Sequence, residues 1–163
     1  MLVTKLVSGS VLVFLISCVG VLAQKTVEVR LSPTEIEAIT SIAAGAGTSG
    51  LSGIKTRVLK GDPNSAGLYT IQLSVPANTR IEAHDHPDDR VATVVSGTWY
   101  IGFGEKFDET KLKALSPGSF YTEPPGKMHF ARTGKQPVVI VITGIGPTGT
   151  KYSENKANNG VQK

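Results

Sequence analysis

The chain has almost no cysteine. Cys18 is the only one among its 163 residues, and it lies inside an apolar run near the N-terminus. If that run is removed, the remaining domain has no thiol. Cysteine nucleophiles and cysteine-ligated zinc are then excluded, and stability has to come from an apolar core and from whatever the domain binds. A basic footprint is missing too. The formal charge is only +4, the lysines and arginines are spread along the chain, and none cluster with interleaved aromatics, so nucleic acid is not an expected partner. No internal repeat is present. The length fits one domain, and 40% apolar with 18% charged residues is ordinary for a folded protein.

The N-terminus reads as a targeting segment. Lys5 precedes an apolar run from Leu6 to Ala23, and Gln24 opens a polar stretch. This is the pattern of a secretory signal peptide cut near Ala23, which implies a secreted or periplasmic domain with no membrane span after processing. Two rivals stay open. The run is nearly long enough to remain as an anchor. Leu15-Ile16-Ser17-Cys18 also resembles a lipobox, which would tether the protein by a lipid on Cys18, although the residues after Cys18 stay apolar through Ala23.

The rest divides into an N-terminal helix and linker over 24–53, a strand-rich body over 54–146, and a flexible tail over 147–163. Val27 to Leu31 reads as a short strand. Ser32, Pro33 and Glu35 form a capping-box start, and Ile36, Ile39 and Ile42 recur at helical spacing, so a helix ending by Gly45 is expected to cover one face of something larger. The Gly-, Ser- and Thr-rich stretch Gly45 to Gly53 reads as a linker or mobile loop. Strands follow over Ile54 to Leu59, Leu68 to Val75, Arg80 to His86, Val91 to Val95, Thr98 to Phe103, Ser119 to Glu123, Met128 to Arg132 and Val138 to Thr143. Asp108 to Leu115 reads as one or two helical turns. Tyr69, Ile71, Leu73 and Val75 alternate with polar residues, the period of a half-buried strand. Many short strands between Gly and Pro turns predict an all-β sandwich, barrel or jelly roll with a short helix in front.

The chain has three histidines, and all of them fit one pattern. His84 and His86, two apart on a predicted strand, point to one face. His129 comes from a distant strand beyond a Pro-Pro-Gly corner. Three imidazoles from two strands can converge on one divalent transition metal, and neutral imidazole suits Zn, Fe, Ni, Cu or Mn. The alternative is that they are buried hydrogen-bonding groups without a metal.

These residues also carry a family resemblance. Asn78, His84, His86, Arg90 and Gly97 have the spacing of the first cupin motif. Gly118, Pro124, Gly126, His129 and Thr133 have the spacing of the second. The resemblance covers Ile54 to Gly144. It implies a cupin double-stranded β-helix, a jelly-roll barrel whose centre holds one metal on His84, His86 and His129; by the same analogy, a homodimer is expected. Three positions depart from the pattern. Asn78 stands in place of Gly, and Thr133 in place of Asn. Arg90 stands where the family's glutamate ligand belongs, and arginine cannot coordinate a metal. The motifs then supply three histidines and leave open positions, as a catalytic site does. Without the glutamate, Fe or Zn is favoured, Ni and Cu are acceptable, and Mn is less suited.

Arg90 has two readings. Facing inward, it binds a substrate carboxylate or enolate; turned away, it pairs with Asp88, Asp89 or a rim carboxylate. Glu82 shares strand parity with His84 and His86, and Glu123 lies beside the Pro-Pro-Gly corner. Either is a candidate oxygen ligand or general base, against the plainer reading of a salt-bridged rim residue. Tyr69, Trp99, Tyr100, Phe103 and Tyr121 read as barrel core, with Tyr121 the candidate nearest the second motif. The function expected is a metal-dependent oxygenase or related Lewis-acid enzyme acting on a small anionic or enolisable molecule. The alternatives are an envelope protein that binds or senses a ligand without turnover, and a domain whose metal is structural.

Overall fold

The computed structural model describes residues 28–43 and 47–153. The apolar leader, Cys18 and the residues after 153 lie outside the described residues. Among the described residues, no helix is long and apolar enough to cross a membrane.

Eleven described strands form two antiparallel sheets. The first runs in the order β1 (Ile42–Ala43), β2 (Lys55–Lys60), β3 (Gly67–Val75), β10 (Val138–Gly146), β5 (Arg90–Ser96) and β8 (Phe120–Glu123). The second runs β11 (Lys151–Tyr152), β4 (Arg80–Asp85), β9 (His129–Thr133), β6 (Trp99–Phe103) and β7 (Lys113–Leu115). Strand β10 is the spine of the first sheet, paired with β3 along its whole length and with β5 on its other side. The sheets face each other across one core that contains Tyr69, Ile71, Val94, Trp99, Ile101 and Ile140. This is the all-β jelly roll that the alternating strands predict. The expected alternation in β3 is present, with Tyr69, Ile71, Leu73 and Val75 all buried.

The front of the chain differs from expectation. Residues 28–32 are in neither helix nor strand. The helix α1 spans only Pro33–Ala38 and buries no residue, although its capping box is formed as read. Ile39 leaves helical geometry, and Ile42 lies in β1, paired with Thr56 of β2. Pairing with an open strand edge satisfies the backbone of Ile42 and Ala43 better than a third helical turn on the surface would. Arg57 of β2 ties the helix down through Glu37 and the Ile39 carbonyl. Asp108 to Leu115 is one 3₁₀ turn, Glu109–Lys111, followed by β7.

The described parts of two stretches read as loose are packed. Gly47, Thr48 and Ser49 are buried against the barrel. The segment after Gly146 adds β11 to β4, pairing Lys151 with Asp85 and Tyr152 with His84. These two segments bond to each other: the Thr150 hydroxyl donates to the Thr48 carbonyl at 2.5 Å, and the Tyr152 hydroxyl donates to the Ser49 carbonyl. Together they form a strap across one end of the barrel.

Candidate metal centre

Each imidazole reaches the centre by a different route. His84 of β4 and His129 of β9 are direct cross-strand partners, and their ring centroids are 4.4 Å apart. His86 follows the end of β4, with centroids 5.0 Å from His84 and 5.2 Å from His129. All three are buried, and one ligand atom from each lies within 4.8 Å of the others. The corner after β8 supports this arrangement. Gly126 adopts φ +66°, which only glycine takes at little cost, and its N–H donates to the His86 carbonyl at 2.9 Å.

The rings are oriented by backbone. Nδ1 of His84 meets the Glu82 carbonyl at 2.8 Å, Nδ1 of His86 the Gly149 carbonyl at 2.5 Å, and Nδ1 of His129 the Lys127 carbonyl at 3.0 Å. A carbonyl only accepts, so each Nδ1 carries the proton and donates. Each Nε2 of a neutral ring is then left with its lone pair. This is how proteins usually orient metal-binding imidazoles. Nε2 of His86 is buried and has no hydrogen-bond partner, a costly arrangement unless something else uses the lone pair. Burial, reinforced by the neighbouring His129, lowers the His84 pKa to about 4. Burial and the nearby Arg90 lower that of His86 to about 3. Both rings are therefore neutral at ordinary pH, the state that a metal needs. The donor set fits a divalent transition metal on three Nε2 atoms.

A second cross-strand pair enters from the other sheet. Arg90 of β5 stands directly opposite Glu123 of β8, and both are buried. Arg90 Nε donates to Glu123 Oε2 at 2.8 Å, Nη2 donates to the same oxygen, and Nη1 donates to the Gly47 carbonyl at 2.8 Å. Burial alone would raise the Glu123 pKa, but the Arg90 guanidinium overrides it and holds the carboxyl at about 2. Arg90 therefore pairs with a carboxylate as one reading required, but the partner is Glu123 inside the site, not Asp88, Asp89 or the rim. Asp88 instead accepts from the Tyr69 hydroxyl at 2.6 Å.

The other candidates separate. Glu82 does not enter the site: its carboxylate pairs with Arg80 Nε at 2.6 Å on the barrel exterior. The parity argument fails because β4 carries a bulge. Ile81 pairs with Ala131 and His84 with His129, so one extra residue on β4 reverses the alternation. Ile81 and His84, three apart, both line the central cavity. Tyr121 is buried, and its pKa is pushed well above the usual value by burial and by Glu123. It does not line the cavity, whereas Trp99 does. Tyr69 is core, but Tyr100 lies under Arg132 at 4.1 Å and Phe103 is 42% exposed, so those two are not.

The departures at Asn78 and Thr133 sit far from the histidines and support one turn. Asn78 takes φ +54°, a conformation asparagine tolerates. The Thr133 hydroxyl donates to the Pro76 carbonyl at 2.7 Å and accepts from the Thr79 N–H at 2.9 Å.

Sequence reasoning missed the strap. Gly47 and Ser49 line the cavity, Gly149 holds His86, and the Tyr152 ring lies 5.4 Å from that of His84. Most of these contacts use backbone carbonyls, which leave no signature in residue type. Beneath the strap the cavity is only about 20 Å³, room for an ion or about one water.

No protein-family model matches the sequence, and no curated protein matches it. Solved structures do match in fold. An RmlC-like cupin from Shewanella frigidimarina is 18% identical with a TM-score of 0.51, over 67% of this chain and 85% of the other. KdgF from Halomonas sp. is 19% identical with a TM-score of 0.51, over 68% and 91%. The polyketide cyclase RemF from Streptomyces resistomycificus is 18% identical with a TM-score of 0.55, over 73% and 80%. At these identities, the likeness is one of fold.

Proposed function

The chain has the cupin fold, and on that premise we propose that it is a metal-binding cupin that uses a divalent transition metal to act on a small anionic or enolisable molecule. The single observation that carries the metal is the trio of carbonyl-anchored imidazoles, with the buried Nε2 of His86 lacking any partner. Zinc or iron suits three nitrogen donors best. When bound, such an ion supplies Lewis acidity toward a substrate oxygen.

The protein's own residues supply orientation and dryness. The carbonyls of Glu82, Gly149 and Lys127 fix the rings. The apolar walls from Ile81, Trp99, Ile140 and Ile142 keep the dielectric low, which strengthens any charge interaction inside. Arg90 and Glu123 cancel each other, so the ion's double charge is left for an incoming anion. In this arrangement the guanidinium is occupied by Glu123 and does not clamp a substrate. Export is part of the proposal and is supported by the apolar run from Leu6 to Ala23 ahead of the domain.

One observation favours a second reading. A cavity of about 20 Å³ under the strap holds an ion and little else, as expected of a binding or structural site without turnover. Metal analysis of untagged protein tests the common premise. One metal per chain is expected, His86→Ala abolishes it, and Arg90→Ala keeps it. A metal-free wild-type protein, or metal retained by His86→Ala, overturns the proposal. Turnover assays on enolisable acids, diketones and catechols then separate the enzyme from the binding protein.

A further inference from the structure

We propose that Glu123 is a fourth protein donor to this centre through Oε1, and that Arg90 is the residue that positions it. The inference rests on the three-histidine reading above. Its argument begins with how the carboxylate is held. Both guanidinium bonds to Glu123 fall on Oε2. A purely structural Arg–carboxylate pair gains most from a fork in which each oxygen takes one N–H. Here Oε2 is gripped, while Oε1 is free of the guanidinium and lies toward His129.

Oε1 lies 3.6 Å from His129 Nε2, and Oε2 lies 3.8 Å from His86 Nε2. Both separations are too long for hydrogen bonds. Only the Oε1–His129 separation concerns the proposed donor, and its 3.6 Å is a few tenths of an ångström beyond the roughly 3.0–3.4 Å that two donors on one ion keep at bond lengths of about 2.1 Å, so a small closing shift would bring both onto one ion. Arg90 compensates the buried charge through Oε2 and makes no bond to Oε1.

Arg90 and Glu123 are cross-strand neighbours. Glu123 therefore enters the centre from β8, one strand over from Arg90. Nη1 of Arg90, bonded to the Gly47 carbonyl, fixes the guanidinium and with it the angle of the carboxylate. A guanidinium on Oε2 also draws charge away from Oε1, so this donor is weaker than a free carboxylate and leaves the ion a stronger acid.

The test measures Zn(II) affinity by chelator competition and the visible absorption of the Co(II)-loaded protein. The proteins compared are wild type, Glu123→Gln, the neutral pair Arg90→Gln with Glu123→Gln, and Glu82→Gln as a control. The neutral pair avoids a lone buried charge and provides the comparison if Glu123→Gln does not fold. Both variants lacking Glu123 are expected to bind Zn(II) about 10–100-fold more weakly and to shift the Co(II) bands, while Glu82→Gln does neither. In the wild type, infrared difference spectra with ¹³C-labelled glutamate should show one carboxylate band move on Zn(II) loading, and the neutral pair should lack that change. Affinities within twofold of wild type, unmoved Co(II) bands, or no shifting glutamate band overturn the role of Glu123 while the histidine site stands. A wild-type chain that takes up no metal sinks both.

Discussion

At the scale of single residues, the site is built from side chains that are harder to charge, or harder to neutralise, than in water. His84 and His86 have pKa values of about 4 and 3 in place of the ordinary 6.5, so the unfolded chain binds more protons than the folded one between those limits. Stability from these rings is complete above 6.5 and falls as pH drops toward 4 and then 3. Glu123, at about 2 instead of 4.5, has the same sign: its contribution is present above 4.5 and is lost as pH approaches 2. Urea melts of the metal-free protein should therefore show stability falling steadily from pH 6.5 to pH 3, with a shallower slope in His86→Asn. A flat profile counts against burial of these rings. The sequence showed which residues are histidine and that Arg90 cannot be a ligand. It did not show the partner of Arg90, because cross-strand neighbours are set by register, and Glu123 is far along the chain from it.

At the scale of elements, parity placed the alternating side chains of β3 correctly and failed on β4. A bulge adds one residue between Ile81 and His84, and nothing in Arg80-Ile81-Glu82-Ala83-His84 announces it. Glu82 was lost from the site for that reason alone. The strap was illegible for a different reason. Glycine and serine composition speaks of backbone freedom, but here Gly47, Thr48 and Ser49 contribute carbonyls to Arg90, Thr150 and Tyr152. The strap covers the cavity, so it is expected to limit access. Tyr152→Phe removes the hydrogen bond to Ser49 and keeps the ring beside His84. A hydrogen bond is worth roughly 0.5–1.5 kcal/mol, so loss of bound metal to excess chelator should accelerate about 2–10-fold. An unchanged rate means that the strap does not limit exit.

At the scale of the whole molecule, the all-β architecture was readable from strand spacing and turns, and the jelly roll from the two spaced motifs. The lengths of α1 and β1 were not, because a short amphipathic pattern next to a free strand edge is decided by tertiary pairing. The centre joins both sheets: His84 and His129 come from one, Arg90 and Glu123 from the other. A metal held there with Glu123 as the proposed donor would link the two layers and favour the folded chain. Removing it with a chelator should lower the melting temperature, and free metal at one hundred times the dissociation constant should restore about 2.7 kcal/mol. Calorimetry with and without chelator checks this. An identical melting temperature in both samples would mean that the layers hold together without the ion.

The pairing of Arg90 with Glu123 has a historical consequence. Each charge is tolerable in that dry interior only because the other is present, so neither position is free to change alone. A descendant that converts position 90 to an acid inherits two carboxylates side by side, and one that neutralises position 123 strands a guanidinium. Passage between this layout and one with the acid on β5 therefore requires paired substitutions or an intermediate with both charges erased.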